Sequence, residues 1–155
     1  MYNTRSNGNC KVNDTFDPTP FPRAATLAAE LGTILIIYNG PQCGNTSYAG
    51  AWPLVYSVAW DQGWGKGVLS AVAGSAAREH FAALFVQLRA LGLSSFTQDF
   101  LDFQSLLFPA CLENPEGNHA WQGGQAAAAL EADVAVQCAW GSTTPPLAPP
   151  LPACC

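Results

Sequence analysis

Two carboxylates, one amide and two tryptophans stand at the ends of short apolar runs. Gln98 and Asp99 end one such run, Trp60 and Asp61 end an earlier one, and Trp140 closes the last. Carboxylates handle the glycosidic oxygen and hydroxyls of a sugar, and tryptophan rings stack on its apolar face. The pattern predicts a carbohydrate site in which Asp99 is the catalytic candidate and the other four bind substrate.

Each candidate also has an ordinary structural explanation, which on pattern alone is the commoner one. Asp is a favoured N-cap, so Asp99 would simply begin a following helix. Asp61 precedes Gln-Gly and fits a turn, and the tryptophans fit a hydrophobic core. His80 and His119 are interpreted as structural or solvent-facing rather than catalytic.

Other classes of site lack their sequence signatures. The six cysteines include no CxxC pair, and neither histidine has metal-ligand spacing, so no metal or other cofactor is predicted. The glycines of the segment 61–67 do not match the spacing of a phosphate-binding loop. The net charge of −5, with six scattered basic residues, excludes nucleic acid as the expected partner.

The chain of 155 residues suits a single domain with a hydrophobic core. It shows no signal peptide and no apolar run of membrane-spanning length, so it is expected to be soluble as written, with no membrane partner. Composition assigns neither a compartment nor an oligomeric state. An even number of cysteines permits disulfides, and the sequence leaves their redox state open.

Alternating helices and strands are predicted between an irregular arm over 1–22 and a proline-rich tail over 142–155. The predicted helices cover 23–31, 76–91, 100–108 and 119–132, with Ser75 as an N-cap and a turn at 114–118. Gly32, Gly92 and Pro109 are expected to end the first three. The helix 76–91 carries an apolar stripe, formed by Phe81, Leu84, Phe85, Leu88 and Leu91. The predicted strands cover 33–38, 52–60, 93–97 and 134–140, and a loop covers 61–67.

This order predicts an α/β domain over residues 23–141, in which the strand 93–97 pairs in parallel with the strand near 134–139. Because chemistry in such folds is placed at the carboxyl ends of strands, Asp99 would lie at the functional edge of the sheet. Trp60, Asp61, Gln98 and Trp140 are expected near the same edge, as the ends of neighbouring strands.

The segment from Ala90 to Leu101, and above all Gln98-Asp99-Phe100-Leu101, resembles a barrel segment of alpha-galactosidase and raffinose-synthase-like glycoside hydrolases. Weaker similarity extends over roughly residues 31–140. The resemblance implies a partial (β/α) TIM barrel that hydrolyses or transfers a galactoside, with Asp99 as the nucleophile of a retaining reaction. The second carboxylate of that reaction is not identified in this chain, so the resemblance also implies a truncated fragment that is inactive alone.

A function of another class is the alternative. The chain would then be a small non-catalytic α/β protein-interaction domain whose tail, through the run 145–150, docks as a polyproline helix into an aromatic groove of a partner.

Overall fold

The fold combines helices and strands, as the sequence predicts for an α/β protein. A computed structural model describes residues 5–6, 9–10, 24–39, 42–43, 47–62, 65–90, 92–98 and 107–138. The helices are α1 (Ala24–Glu30), α2 (Ala77–Ala90), α3 (Pro109–Glu113) and α4 (Pro115–Glu131). The strands are β1 (Arg5–Ser6), β2 (Asn9–Cys10), β3 (Leu35–Asn39), β4 (Gln42–Cys43), β5 (Leu54–Tyr56), β6 (Trp60–Gln62), β7 (Gly65–Gly67), β8 (Leu69–Val72), β9 (Leu93–Gln98) and β10 (Ala135–Cys138).

A three-stranded parallel sheet forms the centre of the described structure. Its strand order is β10-β9-β3, so β9 lies in the middle. Val136 pairs with Phe96, and Phe96 pairs with Ile37 on its other side. The predicted parallel pairing of the strand 93–97 with the last strand is therefore confirmed.

Helices α2 and α4 cover one face of this sheet and enclose an aromatic core. Phe81 and Phe85 of α2, Phe96 of β9 and Trp121 of α4 are at most 5% exposed. The Phe85 and Phe96 rings meet edge to face at 5.1 Å, and so do those of Phe81 and Trp121. Residues four positions apart share a helix face, which is why the stripe at Phe81, Phe85 and Leu88 predicted this contact.

Glycines bring α4 close to the start of α2. A Cβ atom at Gly124 would lie 2.7 Å from the backbone nitrogen of Arg78 and 3.1 Å from the Cβ of Ala77. A Cβ atom at Gly74, in the turn before α2, would collide with the carbonyl oxygen of Gly117. The helix backbones can therefore approach at these points only because the side chains are absent.

Two further sheets are small. The order β4-β8-β5 is antiparallel, with β8 in the middle, and the four-stranded sheet has the order β1-β2-β7-β6. All four residues of β8 are buried. The strands that the structure describes form no closed barrel.

Several predicted elements are confirmed. The helices expected over 23–31 and 76–91 correspond to α1 and α2. Gly32 and Gly92 follow them with φ angles of 62° and 86°, the left-handed conformation that glycine adopts without strain. The strands expected over 33–38, 93–97 and 134–140 correspond to β3, β9 and β10.

Other predictions are wrong, each for a local physical reason. The expected turn at 114–118 is the first turn of α4, because the Asn114 side chain accepts a hydrogen bond from the Gly117 amide and Pro115 needs no partner at the helix start. Pro109 begins α3, which the sequence did not predict, whereas Leu107 is helical and Phe108 is not, in agreement with a helix that ends before Pro109. Ser75 lies within a 3₁₀ turn, so it does not cap α2.

The expected strand over 52–60 and the loop after it are also corrected. The chain forms β5, then a hairpin of β6 and β7 in which Trp60 pairs with Gly67 and Asp61 with Lys66. Gly67 has a φ of 124°, a conformation open to glycine and not to other residues.

Three predicted segments fall largely or wholly outside the described residues. They are the arm over 1–22, of which only β1 and β2 are described, the helix over 100–108, of which 107 and 108 are described, and the tail over 142–155.

Candidate functional site at the carboxyl edge of the parallel sheet

The three parallel strands end in one row. Asn39 of β3 pairs with Gln98 of β9, and Gln98 pairs with Cys138 of β10. This row forms the carboxyl edge of the parallel sheet, and Gln98 is its centre. In open and closed parallel sheets this edge is where ligands bind, because loops and unpaired backbone groups converge there.

Asp99 follows Gln98 directly in sequence, so the central strand leads into the predicted catalytic residue. Asp99 itself lies outside the described residues, and so does Trp140, two residues beyond the end of β10. Their assignment to catalysis and substrate binding stays a prediction.

Gln98 is placed in detail, and its side chain is not at the surface. It is 2% exposed, and its Oε1 accepts a hydrogen bond of 3.1 Å from Nε2 of Gln125 in α4. Gln98 and Phe96 are two positions apart in the strand and therefore project from the same face, the one covered by helices. The predicted substrate-binding amide thus contacts the helix layer.

The opposite face of the parallel sheet is open among the described residues. Ser95 and Thr97 alternate with Phe96 and Gln98 and are partly exposed, while Ala135 and Gln137 of β10 are exposed. Ile36, which pairs with Ser95, is 50% exposed. One face of this sheet is therefore a core surface, and the other is accessible to a ligand or to further chain.

Trp60 and Asp61 belong to a different sheet. Both lie on β6, which pairs with β7 in the order β1-β2-β7-β6 and shares no strand with the parallel sheet. The expectation that they end a strand beside Gln98 in one sheet is not met. Asp61 is the middle residue of its strand, so the turn explanation is also wrong for its backbone.

His80 is a buried residue of the helix layer, so its structural interpretation holds and the solvent-facing one does not. His80, on α2, is 5% exposed, and its ring meets those of Tyr48, Trp52 and Phe81 edge to face at 5.1, 5.5 and 5.1 Å. Burial lowers the pKa of His80 from 6.5 to about 4, because an imidazolium would lose its hydration there. The one available signal was its position directly before Phe81, at the margin of the apolar stripe.

Charged pairs lie away from the carboxyl edge. Arg78 of α2 binds Glu131 at the end of α4, and Arg89 approaches Asp133 at 3.8 Å. Glu131 and Asp133 precede β10, so these carboxylates lie near the amino end of that strand. Such exposed pairs contribute little to stability, about 0–1 kcal/mol each.

The described residues include a free thiol, Cys111, and no metal-binding cluster. Among them, no group of three or more His, Cys, Asp or Glu side chains could hold a metal ion. Cys111 is a free thiol, and partial burial raises its pKa, which makes it a weak nucleophile. No helix in the described part of the chain is long and apolar enough to cross a membrane.

Comparison with known proteins adds no assignment. No protein-family model matches the chain, and no curated protein matches it.

Proposed function

We propose that the chain carries the galactoside-binding edge of a (β/α) barrel segment similar to glycoside hydrolases, with Asp99 in the position of the nucleophile. The observation that supports it most is the row Asn39–Gln98–Cys138, which puts three parallel strand ends side by side with Gln98 at the centre. Asp99 is the next residue along the chain.

The two faces of the parallel sheet support the barrel part of this proposal. In a (β/α) barrel the helices cover the outer face, and the inner face meets side chains from other strands. Here α2 and α4 pack on one face, whereas Ile36, Ala135 and Gln137 leave the other face exposed. Within the sheet, β3, β9 and β10 lie side by side in the order in which they occur along the chain, although β4 to β8 come between β3 and β9 in sequence.

The chemistry assigned to Asp99 is attack on the anomeric carbon of a galactoside. Retaining hydrolysis or transfer needs a carboxylate nucleophile and a second carboxyl group about 5–5.5 Å from it. The second group protonates the leaving oxygen. The proposal identifies the nucleophile position and leaves the partner carboxyl unassigned. Ligand binding at the edge therefore tests it more cleanly than turnover does.

Titration with methyl α-D-galactopyranoside provides that test, followed by isothermal calorimetry or by amide chemical shifts. We expect saturable binding that Asp99→Asn weakens by about tenfold, since a carboxylate accepts charge-assisted hydrogen bonds that an amide does not. Asp133→Asn is the matched control. Asp133 precedes β10 at the opposite edge and has a φ of 52°, which asparagine tolerates well.

Equal loss of affinity in both variants, or saturable binding unaffected by Asp99→Asn, would contradict the assignment of Asp99. Absence of saturable binding in the unaltered protein would contradict the proposed function itself.

A non-catalytic interaction domain is the second candidate, and exposed apolar side chains favour it. Leu27 and Leu31 are 52% and 68% exposed, and Ile34 is 61% exposed just before β3. Together with Ile36 they form apolar surface of the kind that binds other proteins. This candidate predicts no galactoside binding, and a chain that is monomeric and melts cooperatively without its partner.

A further inference from the structure

We infer that Gln98 and Gln125 form a positioning pair that fixes the carboxyl end of β9, and that Gln98 does not contact substrate itself. The consequence for galactoside binding rests on the proposed function. The consequence for the order of the strand end stands without it.

The pair is built into the interface between sheet and helix. Gln98 and Gln125 are each 2% exposed, and they are joined by the 3.1 Å hydrogen bond from Nε2 of Gln125 to Oε1 of Gln98. Trp121 lies one turn before Gln125 on α4, and Ala129 lies one turn after it. Both belong to the buried core. Gln125 therefore projects from the same side of α4 as these core residues and contacts β9 on the face that carries Phe96.

Apolar residues of the same size would fill this place without desolvating two amides. Burial of an amide costs free energy unless its hydrogen bonds are made again inside the protein. Two leucines or methionines can also slide past each other, whereas a hydrogen bond holds its two atoms at one distance and in one direction. The hydrogen bond of the pair therefore defines the position of the last residue of β9, which apolar packing would not do.

That residue is the point where a defined position matters most. Gln98 is paired on both sides, to Asn39 and to Cys138, and it is one peptide bond from Asp99. Small displacements of a reacting group weaken ligand contacts and reaction rates strongly. The bond to Gln125 lies on the helix-covered face of the sheet, opposite the face on which Ser95 and Thr97 are partly exposed.

A double-mutant cycle with methionine tests this inference, since methionine keeps the length of glutamine and removes its polar atoms. The variants are Gln98→Met, Gln125→Met and the double substitution, with Gln87→Met on the exposed side of α2 as the control. We expect each single change to weaken binding of methyl α-D-galactopyranoside by a similar factor, about tenfold. The double variant should lose little more than Gln98→Met alone, because either substitution already breaks the hydrogen bond between the two side chains.

Amide-hydrogen exchange supplies the readout that is independent of galactoside. We expect exchange at Thr97 and Gln98 to accelerate in both single variants and to stay unchanged at Phe81 in α2, with no effect of Gln87→Met. If the unaltered protein binds no galactoside, the proposed function fails, and the exchange result alone decides whether the pair fixes the strand end.

Three results would overturn the inference. Loss of affinity in Gln98→Met but not in Gln125→Met would make Gln98 a direct substrate contact. Lower melting temperatures with unchanged affinity would make the pair merely structural. Unchanged exchange at Thr97 and Gln98 in both single variants would show that the hydrogen bond does not hold the strand end.

Discussion

The parallel sheet with α2 and α4 (the parallel unit) and the sheet β4-β8-β5 with α3 (the antiparallel unit) are packed in different ways. The parallel unit has a large core of aromatic rings and small helix residues on one side of its sheet. Among the described residues, the antiparallel unit has a smaller buried cluster, formed by Leu69, Ala71 and Phe108. Its central strand β8 is buried throughout, whereas β9 has partly exposed residues on one face.

This difference shows how burial appears in sequence. Elements buried on one side show a period, such as the stripe on α2, and the period predicts them. The strand β8, Leu-Ser-Ala-Val, is buried on both sides and contains two small residues, so neither alternation nor strand propensity marks it. The elements of the parallel unit can therefore be predicted from the sequence. The strands of the antiparallel unit form through tertiary contacts that the local sequence does not show.

Removal of a buried aromatic ring should give the largest difference in the free energy of unfolding between the two units. We expect Phe85→Ala to lower the free energy of unfolding by about 3–5 kcal/mol, since the Phe85 side chain is fully buried. Its ring also contacts those of Phe81 and Phe96, at 5.7 and 5.1 Å. Urea unfolding followed by circular dichroism measures the change.

The comparison variant is Phe108→Ala, at an equally buried position in the antiparallel unit. We expect a smaller loss, because the cluster that the described residues form around Phe108 is smaller and relaxes into the space left. A larger loss for Phe108→Ala than for Phe85→Ala would reverse the comparison.

Acid should weaken the contact of α2 with the segment that carries Tyr48 and Trp52. The pKa of His80 is about 4 in the folded protein, below its ordinary value of 6.5, so unfolded chains bind this proton more readily. The stabilisation by neutral His80 is complete above pH 6.5 and is lost as pH falls toward 4, by about 3 kcal/mol in all.

The variant His80→Phe keeps a buried ring and removes the titration. Subtracting its stability at each pH from that of the unaltered protein cancels the contribution of the carboxylates. A difference that stays constant between pH 7 and pH 4 would contradict the buried, neutral imidazole.

Two adjacent glycines of α4, Gly123 and Gly124, give a matched pair of variants that tests the close contact between α4 and α2. We expect Gly124→Ala to cost about 1–3 kcal/mol, because its Cβ would lie 2.7 Å from the Arg78 nitrogen. Gly123→Ala meets nothing within 4 Å and should stabilise the protein by up to about 1 kcal/mol through helix propensity. Thermal melts of the two variants should move in opposite directions, and a shift of both in the same direction would rule out the tight contact.

The smallest expected effect is at the start of α4. Asn114→Ala removes the acceptor for the Gly117 amide and should cost about 1 kcal/mol. Asn114→Asp keeps an acceptor and should change stability little. If both variants melt alike, the cap contributes nothing measurable.

Sequence signals predicted much of the parallel unit for identifiable reasons. Glycines at 32 and 92 indicated helix ends, because glycine adopts the left-handed conformation that both residues have in the structure. The spacing of Phe81, Phe85 and Leu88 indicated the buried side of α2. Signals that serve two purposes were misread: Asn114 and Pro115 suit a turn as well as a helix start, and the structure uses them as a helix start.

The candidate site was predictable only in part. Apolar runs placed Gln98 at a strand end, but the direction of its side chain depends on strand register and on Gln125, 27 residues later. Trp60 and Asp61 also end an apolar run, yet they pair in another sheet, because pairing partners are chosen by contacts that no local pattern encodes.

Chemical-shift mapping of the protein with methyl α-D-galactopyranoside tests the central claim most directly. The claim predicts that saturable shifts concentrate at the carboxyl ends of the parallel strands, at Asn39, Gln98 and Cys138, and leave the amino ends at Leu35 and Ala135 unchanged. Saturable shifts centred on the hairpin of β6 and β7, or no saturable shifts at all, would contradict it.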